Sequence, residues 1–206
     1  MIIIKKQVGI MGVNCYILGD ESEAIIVDPG SNADEIVNVL KENNITAKYV
    51  VLTHCHFDHI LAVEEVIKKT GVKLIACQTE KENLLSPDIN YTNRYSRTPV
   101  MLKADIYVKD GDVIKSGEYE FSVIETPGHT SGSMCLYCEK EKVIVSGDTL
   151  FYSSVGRCDL ATGDETQIIK SIKEKLFVLP DDVLVLTGHG EDTSIGFEKI
   201  NNPFIY

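Results

Sequence analysis

Short apolar runs rich in β-branched residues, separated by glycine or acidic turns, fill much of the first half of the chain. This pattern is typical of β-strands, and it predicts strands over Ile2–Ile10, Asn14–Gly19, Ala24–Val27, Tyr49–Leu52 and Val72–Cys77. Helices are predicted between them, over Ala33–Asn43, Ile60–Thr70 and Glu80–Leu85. Ser31 or Asn32 is placed to cap the first helix, and Gly71 to end the second.

The second half of the chain has more strands and fewer helices. Strands are predicted over Ile106–Val108, Val113–Ile114, Glu118–Glu125, Ser133–Cys138, Lys142–Val145 and Val183–Thr187. One helix is predicted, from Thr166 to Phe177, and Ser86–Leu102 has the polar and aromatic composition of a loop. Because both halves repeat a strand-turn-helix style, we expect two sheets covered by helices, in a single domain over residues 1–206.

The charge of the chain limits the partners that it can have. A formal charge of −11 argues against nucleic acid as the main partner, because phosphates would be repelled. The longest apolar runs are strand-sized, so we expect no membrane span. Charge follows a very short apolar run at Met1–Lys6, which is the wrong order for a signal peptide. We therefore expect a cytoplasmic protein.

The six cysteines are scattered along the chain, a distribution that favours reduced thiols over a disulfide framework. Cys135 and Cys138 form a C-x-x-C pair, but both lie in a predicted strand, where their side chains should point to opposite faces. This geometry favours ordinary strand packing over a redox or zinc role. Cys55 lies between two histidines, yet its position along an extended segment sets it opposite them, so we interpret it as a packed neighbour.

All five histidines fall in three segments that follow predicted strands: Thr53–His59, Thr126–Thr130 and Thr187–Gly190. His54 and His56 are two apart on an extended segment, so their side chains point the same way. Asp148 adds a carboxylate after a further strand. Ligands in open α/β folds bind at the carboxyl ends of strands, and zinc prefers such donors. Singly, Asp58 could be a helix cap and His189 a loop residue, but together the donors predict a metal site.

This arrangement resembles the metallo-β-lactamase superfamily, which carries Thr-His-x-His-x-Asp-His, then a Gly-His, a bridging aspartate and a final histidine. The resemblance implies a mixed α+β or α/β fold, a four-layer αβ/βα sandwich. It implies two divalent ions, with zinc expected first and iron or manganese as alternatives. The implied ligands are His54, His56 and His129 for the first ion, Asp58, His59 and His189 for the second, and a bridging Asp148. Asp28 matches an aspartate that supports the histidine loop.

Within the superfamily the chain looks closest to the glyoxalase II-like (hydroxyacylglutathione hydrolase-like) branch. The segments that carry this likeness are Gly147–Phe151, Gly156–Leu160, Gly188–Gly196 and Asn202–Phe204. The implied reaction is hydrolysis of a thioester of the S-2-hydroxyacyl-thiol, lactoylglutathione-like type. The sequence matches a short form without the C-terminal helical domain of full glyoxalase II enzymes. Glutathione as the thiol carrier therefore stays open.

The implied mechanism uses a hydroxide shared by the two ions, because two metals lower the pKa of a bridging water. Asp58 and Asp148 would orient that hydroxide and manage its proton. The partner is then a small acyl thioester or ester, and the chain could form a homo-oligomer. One alternative is a persulfide dioxygenase of the same fold, with a single iron held by two histidines and a carboxylate. A non-catalytic metal-binding module is the other alternative.

The three arginines are Arg94, Arg97 and Arg157. The planar guanidinium suits a carboxylate, and Arg157 directly follows the segment of the bridging aspartate. We expect Arg157 to bind a substrate carboxylate, although an ion pair with Asp159 is an alternative. Arg94 and Arg97 lie in the aromatic loop, where a solvated surface role is favoured.

Overall fold

A computed structural model of the chain describes residues 1–205. Two six-stranded β-sheets lie face to face, and helices cover the outer face of each. The expected four-layer αβ/βα sandwich is therefore confirmed. The expected single domain extends to Tyr206, which lies outside the described residues.

The first sheet has its strands in chain order. These are β1 Ile2–Val8, β2 Val13–Gly19, β3 Glu23–Val27, β4 Thr46–Val51, β5 Lys73–Cys77 and β6 Ile106–Val108. The first three strands are antiparallel, and β3 to β6 run parallel. The parallel part directs the end of β4 toward one end of the sandwich.

The strands of the second sheet are β7 Val113–Ser116, β8 Tyr119–Glu125, β9 Met134–Cys138, β10 Val143–Gly147, β13 Leu184–Thr187 and β14 Thr193–Ser194. Their order in the sheet is β14-β13-β10-β9-β8-β7. Strands β10 and β13 are parallel, so the segments that follow them lie side by side. A small hairpin separates them in the chain, formed by β11 Leu150–Phe151 and β12 Ser154–Val155.

Seven α-helices occur among the described residues. They are α1 Ala33–Glu42, α2 Phe57–Ile60, α3 Val63–Thr70, α4 Lys81–Leu84, α5 Thr92–Tyr95, α6 Glu165–Ser171 and α7 Ile195–Asn201. Short 3-10 turns lie at Gln78–Glu80 and Glu139–Glu141, and α6 continues into a π-helical turn at Ile172–Leu176. No helix in residues 1–205 is long and apolar enough to cross a membrane.

Strand β2 shows how the layers are built, because its side chains are buried on both faces. Cys15 and Ile17 pack in the apolar layer that contains α1 and α3, whereas Tyr16 and Leu18 pack between the two sheets. A strand covered on both faces needs apolar residues at every position rather than at alternate ones. A third apolar layer joins the second sheet to α6 and α7.

The two cysteine interpretations agree with the structure. Cys135 packs in the layer beneath α6, and Cys138 packs between the sheets, so their side chains do point to opposite faces. Cys55 is fully buried in the layer beneath α1 and α3. All six cysteines are free thiols.

Several element boundaries differ from the sequence expectations for local reasons. The helix expected over Ile60–Thr70 begins earlier, as α2, and is broken before α3 because the N–H of Ala62 donates to the carbonyl oxygen of Pro29 at 3.0 Å. Asn32 holds the N-cap position of α1, but its side chain accepts from Gly9 instead of capping the helix.

Five short elements were not expected from the sequence. They are α5, the two strands of the β11–β12 hairpin, β14 and α7. Helix α7 forms because Ser194 caps it, accepting the N–H of Phe197 at 3.2 Å. Such short elements lack the length over which hydrophobic periodicity can be recognised.

Candidate metal centre

The expected metal ligands lie just beyond strand ends contributed by both sheets. Strand β4 of the first sheet leads into the segment that carries His54, His56, Asp58 and His59. In the second sheet, β8 leads to His129, β10 to Asp148 and β13 to His189. Seven donor side chains from distant parts of the chain therefore meet at one end of the sandwich.

Two glycines allow these segments to approach each other closely. Gly147 has a φ of +49°, and a methyl group there would overlap the side chain of Thr53. A methyl group at Gly188 would overlap Oδ1 of Asp148 and the backbone of Gly147. Both positions therefore need glycine, the first for its backbone conformation as well as its size.

The first donor group consists of His54, His56 and His129. All three side chains are buried, and their ligand atoms lie within 4.8 Å of one another. Nδ1 of His56 faces Nε2 of His129 at 2.8 Å. Nε2 of His54 and Nε2 of His56 are buried without a hydrogen-bond partner in the described chain. Unpartnered buried nitrogens are costly, and a shared cation would satisfy those that face it.

The second donor group consists of Asp58, His59 and His189, whose ligand atoms also lie within 4.8 Å of one another. Oδ2 of Asp58 is 3.4 Å from Nε2 of His189, and the Nε2 atoms of the two histidines are 3.4 Å apart. Asp148 lies between the two groups: its oxygens are 3.4 Å from His59 Nε2, 3.5 Å from His129 Nε2 and 3.6 Å from His189 Nε2. One carboxylate therefore contacts both groups.

Hydrogen bonds behind the imidazoles fix which nitrogen faces the centre. Nδ1 of His129 donates to the carbonyl oxygen of Arg157 at 2.8 Å, and Nδ1 of His189 donates to that of Met11 at 3.2 Å. Nδ1 of His59 donates to Asp28 at 2.9 Å. Each of these imidazoles keeps the lone pair of Nε2 for the centre, which is the arrangement that metal-ligating histidines normally show.

Asp28 supports both histidine groups from behind. Its Oδ1 accepts the N–H of Thr53 at 2.8 Å, and its Oδ2 accepts the Thr53 hydroxyl at 2.6 Å. That hydroxyl can in turn accept Nδ1–H of His54 at 3.1 Å. Although Asp28 lies within 4.8 Å of His54 and His59, its oxygens are already used, so it fits a supporting role and not that of a ligand.

The pKa values in the first donor group favour the neutral imidazole. Burial, followed by the charge of His59, keeps the pKa of His54 well below its ordinary 6.5. Burial, followed by His129, lowers the pKa of His56 to about 3. A neutral imidazole is the form that binds a metal, so burial prepares these side chains for that role.

Charge is distributed differently around His59. Burial opposes a proton on this imidazole, but the carboxylates of Asp148, Asp28 and Asp58 outweigh burial and raise its pKa well above 6.5. Burial likewise raises the pKa of Asp148, but the neighbouring His59 outweighs it and the pKa falls well below 3.8. This concentration of carboxylates stabilises positive charge, and a divalent ion would provide it.

A cavity of about 550 Å³ opens over the two groups. Besides the donors, it is lined by Met11, Phe57, Tyr91, Arg94, Tyr95, Phe151, Ser154, Val155, Arg157 and Leu160. Arg157 lies at this cavity, but its guanidinium makes two 2.7 Å hydrogen bonds to Asp159, the alternative that the sequence left open. Arg94 also lines the cavity, with its cation 5.3 Å from the centre of the Tyr91 ring, whereas Arg97 does not line it.

Sequence reasoning missed the part that Tyr91 plays in the cavity. This residue adopts a φ of +63°, its ring lies 5.6 Å from that of His56, and its hydroxyl accepts the N–H of Ala161 at 2.7 Å. It therefore joins the aromatic loop to the segment after Arg157. The aromatic content of Ser86–Leu102 was the signal available, but no periodicity indicated which aromatic side chain turns inward.

The sequence matches named relatives along nearly its whole length. A "Probable metallo-hydrolase YqgX" from Bacillus subtilis (strain 168) is 35% identical over 202 residues, covering 98% of this chain and 96% of that protein. A "Hydroxyacylglutathione hydrolase GloC" from Haemophilus influenzae is 32% identical over 195 residues, covering 93% of this chain and 92% of that protein.

Solved structures also match this chain along nearly its whole length. The structure of the BLEG-1 B3 metallo-beta-lactamase has a TM-score of 0.93 and 37% identity, covering 99% of both chains. That of TTHA1623 in a di-iron-bound form has a TM-score of 0.88 and 25% identity, covering 98% of this chain and 100% of the other. The sequence profile described as the metallo-beta-lactamase superfamily matches residues 8–189. The chain belongs to the metallo-β-lactamase superfamily.

Proposed function

We propose that this metal-dependent hydrolase cleaves a small acyl thioester of the S-2-hydroxyacyl-thiol, lactoylglutathione-like type. The observation that carries the proposal is the contact of Asp148 with both donor groups, at 3.4 Å from His59 and 3.5 Å from His129. Adjacent groups that share one carboxylate suit two ions. The GloC relative, named a hydroxyacylglutathione hydrolase, supports the substrate class at 32% identity.

Two divalent ions are the cofactors that we propose for this centre. Zinc is the first candidate, because neutral imidazoles and carboxylates are its common ligands. Iron is the second, supported by the di-iron form of the neighbour TTHA1623, and manganese the third. When bound, the ions would supply a water that is acidic near neutral pH and positive charge for the developing oxyanion.

The two carboxylates of the centre have separate roles in this proposal. Asp148 holds the two donor groups together, since its oxygens lie 3.4 to 3.6 Å from histidines of both. Asp58 lies on the second group only, and its Oδ2 can orient the attacking water and accept its proton. In this proposal no serine or cysteine acts as the nucleophile. Cys55, the cysteine nearest to the donors in sequence, faces the apolar core, and burial followed by the Glu80 carboxylate raises the pKa of its thiol.

The cavity suits a substrate with an apolar part and a negative charge. Phe57 and Tyr95 stack at 4.3 Å to form an aromatic wall. Arg157 stands at the rim, 63% exposed, with its partner Asp159 68% exposed. Because water screens such a pair strongly, replacing Asp159 with a substrate carboxylate as the partner of Arg157 costs little free energy. We therefore keep Arg157 as the substrate-binding residue, with Arg94 as a second cation at the same cavity.

A second candidate is β-lactam hydrolysis, favoured by the 37% identity to a chain named a B3 metallo-beta-lactamase. The dioxygenase alternative needs a single iron with two histidines and a carboxylate. It gives no role to Asp58 and His189, although both belong to the second donor group. Two ions and hydrolysis therefore remain the better account of the site.

One experiment separates these candidates. Purified protein is analysed for zinc, iron and manganese, then the same sample is assayed with S-lactoyl thioesters of several thiols, a chromogenic β-lactam and glutathione persulfide. We expect about two ions per chain and highest kcat/KM for a thioester. Oxygen uptake with the persulfide and one iron per chain would replace the proposal with the dioxygenase, and preference for the β-lactam would replace it with the lactamase.

The remaining expectations concern the setting of the reaction. The partner that we propose is a small-molecule acyl thioester or ester, and neither nucleic acid nor a membrane. Cytoplasmic location and self-association stay predictions. Cell fractionation and sedimentation of the purified protein test them directly.

A further inference from the structure

Glu80 is a buried carboxylate that is neither a donor of the centre nor a residue of the cavity. It is the last residue of the 3-10 turn that follows β5, and it is only 1% exposed. Its Oε2 accepts Nδ2–H of Asn83 at 2.8 Å, and its Oε1 accepts the hydroxyl of Thr130. It forms no salt bridge with any residue in the range 1–205. Burying a carboxylate without a cation is costly, so its position needs a reason.

Through Thr130, Glu80 is connected to both segments that carry the first donor group. Thr130 directly follows His129, and its backbone N–H and hydroxyl also contact Ser133, at 3.0 and 2.8 Å. Met134 follows Ser133, and its N–H donates to the carbonyl oxygen of Thr53 at 2.9 Å. Thr53 directly precedes His54. Glu80 therefore anchors the turn after His129, and that turn is bonded in turn to the segment that carries His54 and His56.

Local packing indicates that this bridge is built closely. A methyl group at Gly132 would overlap Cγ and the backbone nitrogen of Glu80, so the turn after Thr130 closes directly over the carboxylate. Nδ2 of Asn83 also donates to the hydroxyl of Ser131 at 3.0 Å. The segment after His129 is thus attached to the turn after β5 at two side chains.

The two donor groups differ in the negative charge that they contain. The second group includes Asp58 and has Asp28 bonded directly to His59 at 2.9 Å. The first group consists of three histidines and contacts the shared Asp148. Asp28 reaches it through the hydroxyl of Thr53, which bonds to His54. Glu80 provides a buried charge behind this group. Its place relative to the first group resembles that of Asp28 relative to the second.

We propose that Glu80 is a positioning residue for the first ion: it fixes the spacing between the His54–His56 segment and His129, and it balances the charge of the ion from behind. This inference rests on the proposed two-ion centre. Residues that support metal ligands from behind typically change metal affinity by about 10- to 100-fold when they are replaced. Without Glu80, a dication on three neutral imidazoles would be balanced by the shared Asp148 and, through Thr53, by Asp28.

The test isolates the first ion by removing a ligand of the second. Zinc affinity is measured by competition with a chromophoric chelator in His189→Ala, and then in the double variants His189→Ala/Glu80→Gln and His189→Ala/Glu82→Gln. Glu82 is an exposed residue of the neighbouring helix α4 and serves as the matched control. We expect one zinc per chain in the parent, affinity at least about tenfold lower with Glu80→Gln, and no change with Glu82→Gln.

The outcomes distinguish failure of the two-ion centre from failure of the role of Glu80. If His189→Ala binds no zinc, the two-ion centre itself is wrong. If it binds one zinc and the affinity is the same with Glu80→Gln as with Glu82→Gln, the centre stands and the role of Glu80 is wrong. Thermal unfolding of the metal-free forms checks folding. Should Glu80→Gln fail to fold, Thr130→Val removes the same contact from the other side, and unchanged zinc affinity there overturns the proposal.

Discussion

Asp28 and His59 are joined by a buried hydrogen bond of 2.9 Å between a carboxylate oxygen and Nδ1 of the imidazole. The bond holds His59 with its Nε2 toward Asp148, at 3.4 Å. Asp28 itself adopts a φ of +51°, an unusual backbone conformation for a residue other than glycine. Strain of this kind persists where the surrounding contacts fix it; here they are the two hydrogen bonds to Thr53.

Replacing Asp28 with Asn should therefore weaken the second ion more than the first. The amide has one acceptor oxygen, which cannot serve both the N–H of Thr53, now bonded to Oδ1, and Nδ1 of His59, now bonded to Oδ2. We expect zinc affinity at the weaker-binding site to fall by about 10- to 100-fold, measured by chelator competition. Asp34→Asn, on the exposed side of α1, is the control. Two zinc ions bound as tightly as in the wild type would contradict the supporting role of Asp28.

The histidine and aspartate positions could be predicted from the sequence because two local rules determine them. His54 and His56 share a face through the period of an extended segment, and His129, Asp148 and His189 each follow a recognisable strand. The sandwich followed from the same strands. The strand pattern and the residue spacing that predict each position lie within a few residues of it.

Contacts between distant segments could not be predicted in this way. Glu80 is in a helix-like run of polar residues, and nothing local indicates that Thr130 lies against it. The pairing of Tyr91 with Ala161 joins residues 70 positions apart. The break between α2 and α3 depends on Pro29. Such features arise from the packing of the two halves, which a single sequence does not encode at short range.

Removing ligands should distinguish the two donor groups. His56→Ala removes a ligand of the first group only, so we expect about one ion per chain and loss of turnover. Asp148→Ala removes the carboxylate that contacts both groups, so we expect both affinities to fall and turnover to be lost. Metal analysis after dialysis and a thioester assay measure the two effects. Full activity in either variant would rule out the proposed centre.

Arg157→Ala should raise KM for a carboxylate-bearing thioester while kcat changes little, because the guanidinium lies at the rim of the cavity and not at the donors. An increase of about tenfold or more corresponds to a lost charge-assisted hydrogen bond of about 1.5–3 kcal/mol. Arg97→Ala is the matched control, since Arg97 does not line the cavity. An unchanged KM for the acidic substrate, or an equal rise for an uncharged thioester, would remove Arg157 from substrate binding.

Gly188→Ala tests the close approach at the centre. The added methyl group would overlap Oδ1 of Asp148, so the carboxylate must move away from both donor groups. We expect metal content and activity to fall together. Gly111→Ala is the contrasting control: Gly111 has a φ of +83° and open space around it, so backbone strain of about 1–2 kcal/mol should lower stability without affecting metal content. Normal metal binding in Gly188→Ala would contradict the described packing.

Stability at low pH should depend on Asp20, which organises the turn between β2 and β3. Its Oδ1 accepts the hydroxyl of Ser22 at 2.7 Å and the N–H groups of Ser22 and Glu23 at 2.8 and 2.9 Å. These bonds, first that of the Ser22 hydroxyl, lower the pKa of Asp20 from 3.8 to about 2. Because the folded pKa is below the unfolded one, the contribution is complete above pH 3.8 and is lost as the pH falls through about 2.

The urea midpoint of the wild type should accordingly exceed that of Asp20→Asn at pH 6, and the difference should shrink at pH 3. The reason is proton binding. Near pH 3 the carboxyl of Asp20 takes up a proton in the unfolded chain but not in the folded one, so acid stabilises the unfolded state of the wild type. Asp20→Asn has no carboxyl at this position, so acid does not change its stability there. Metal-free protein is used at both pH values, so that acid release of ions does not contribute. A difference that stays constant, or grows, between pH 6 and pH 3 would show that the turn does not depend on the ionised carboxylate.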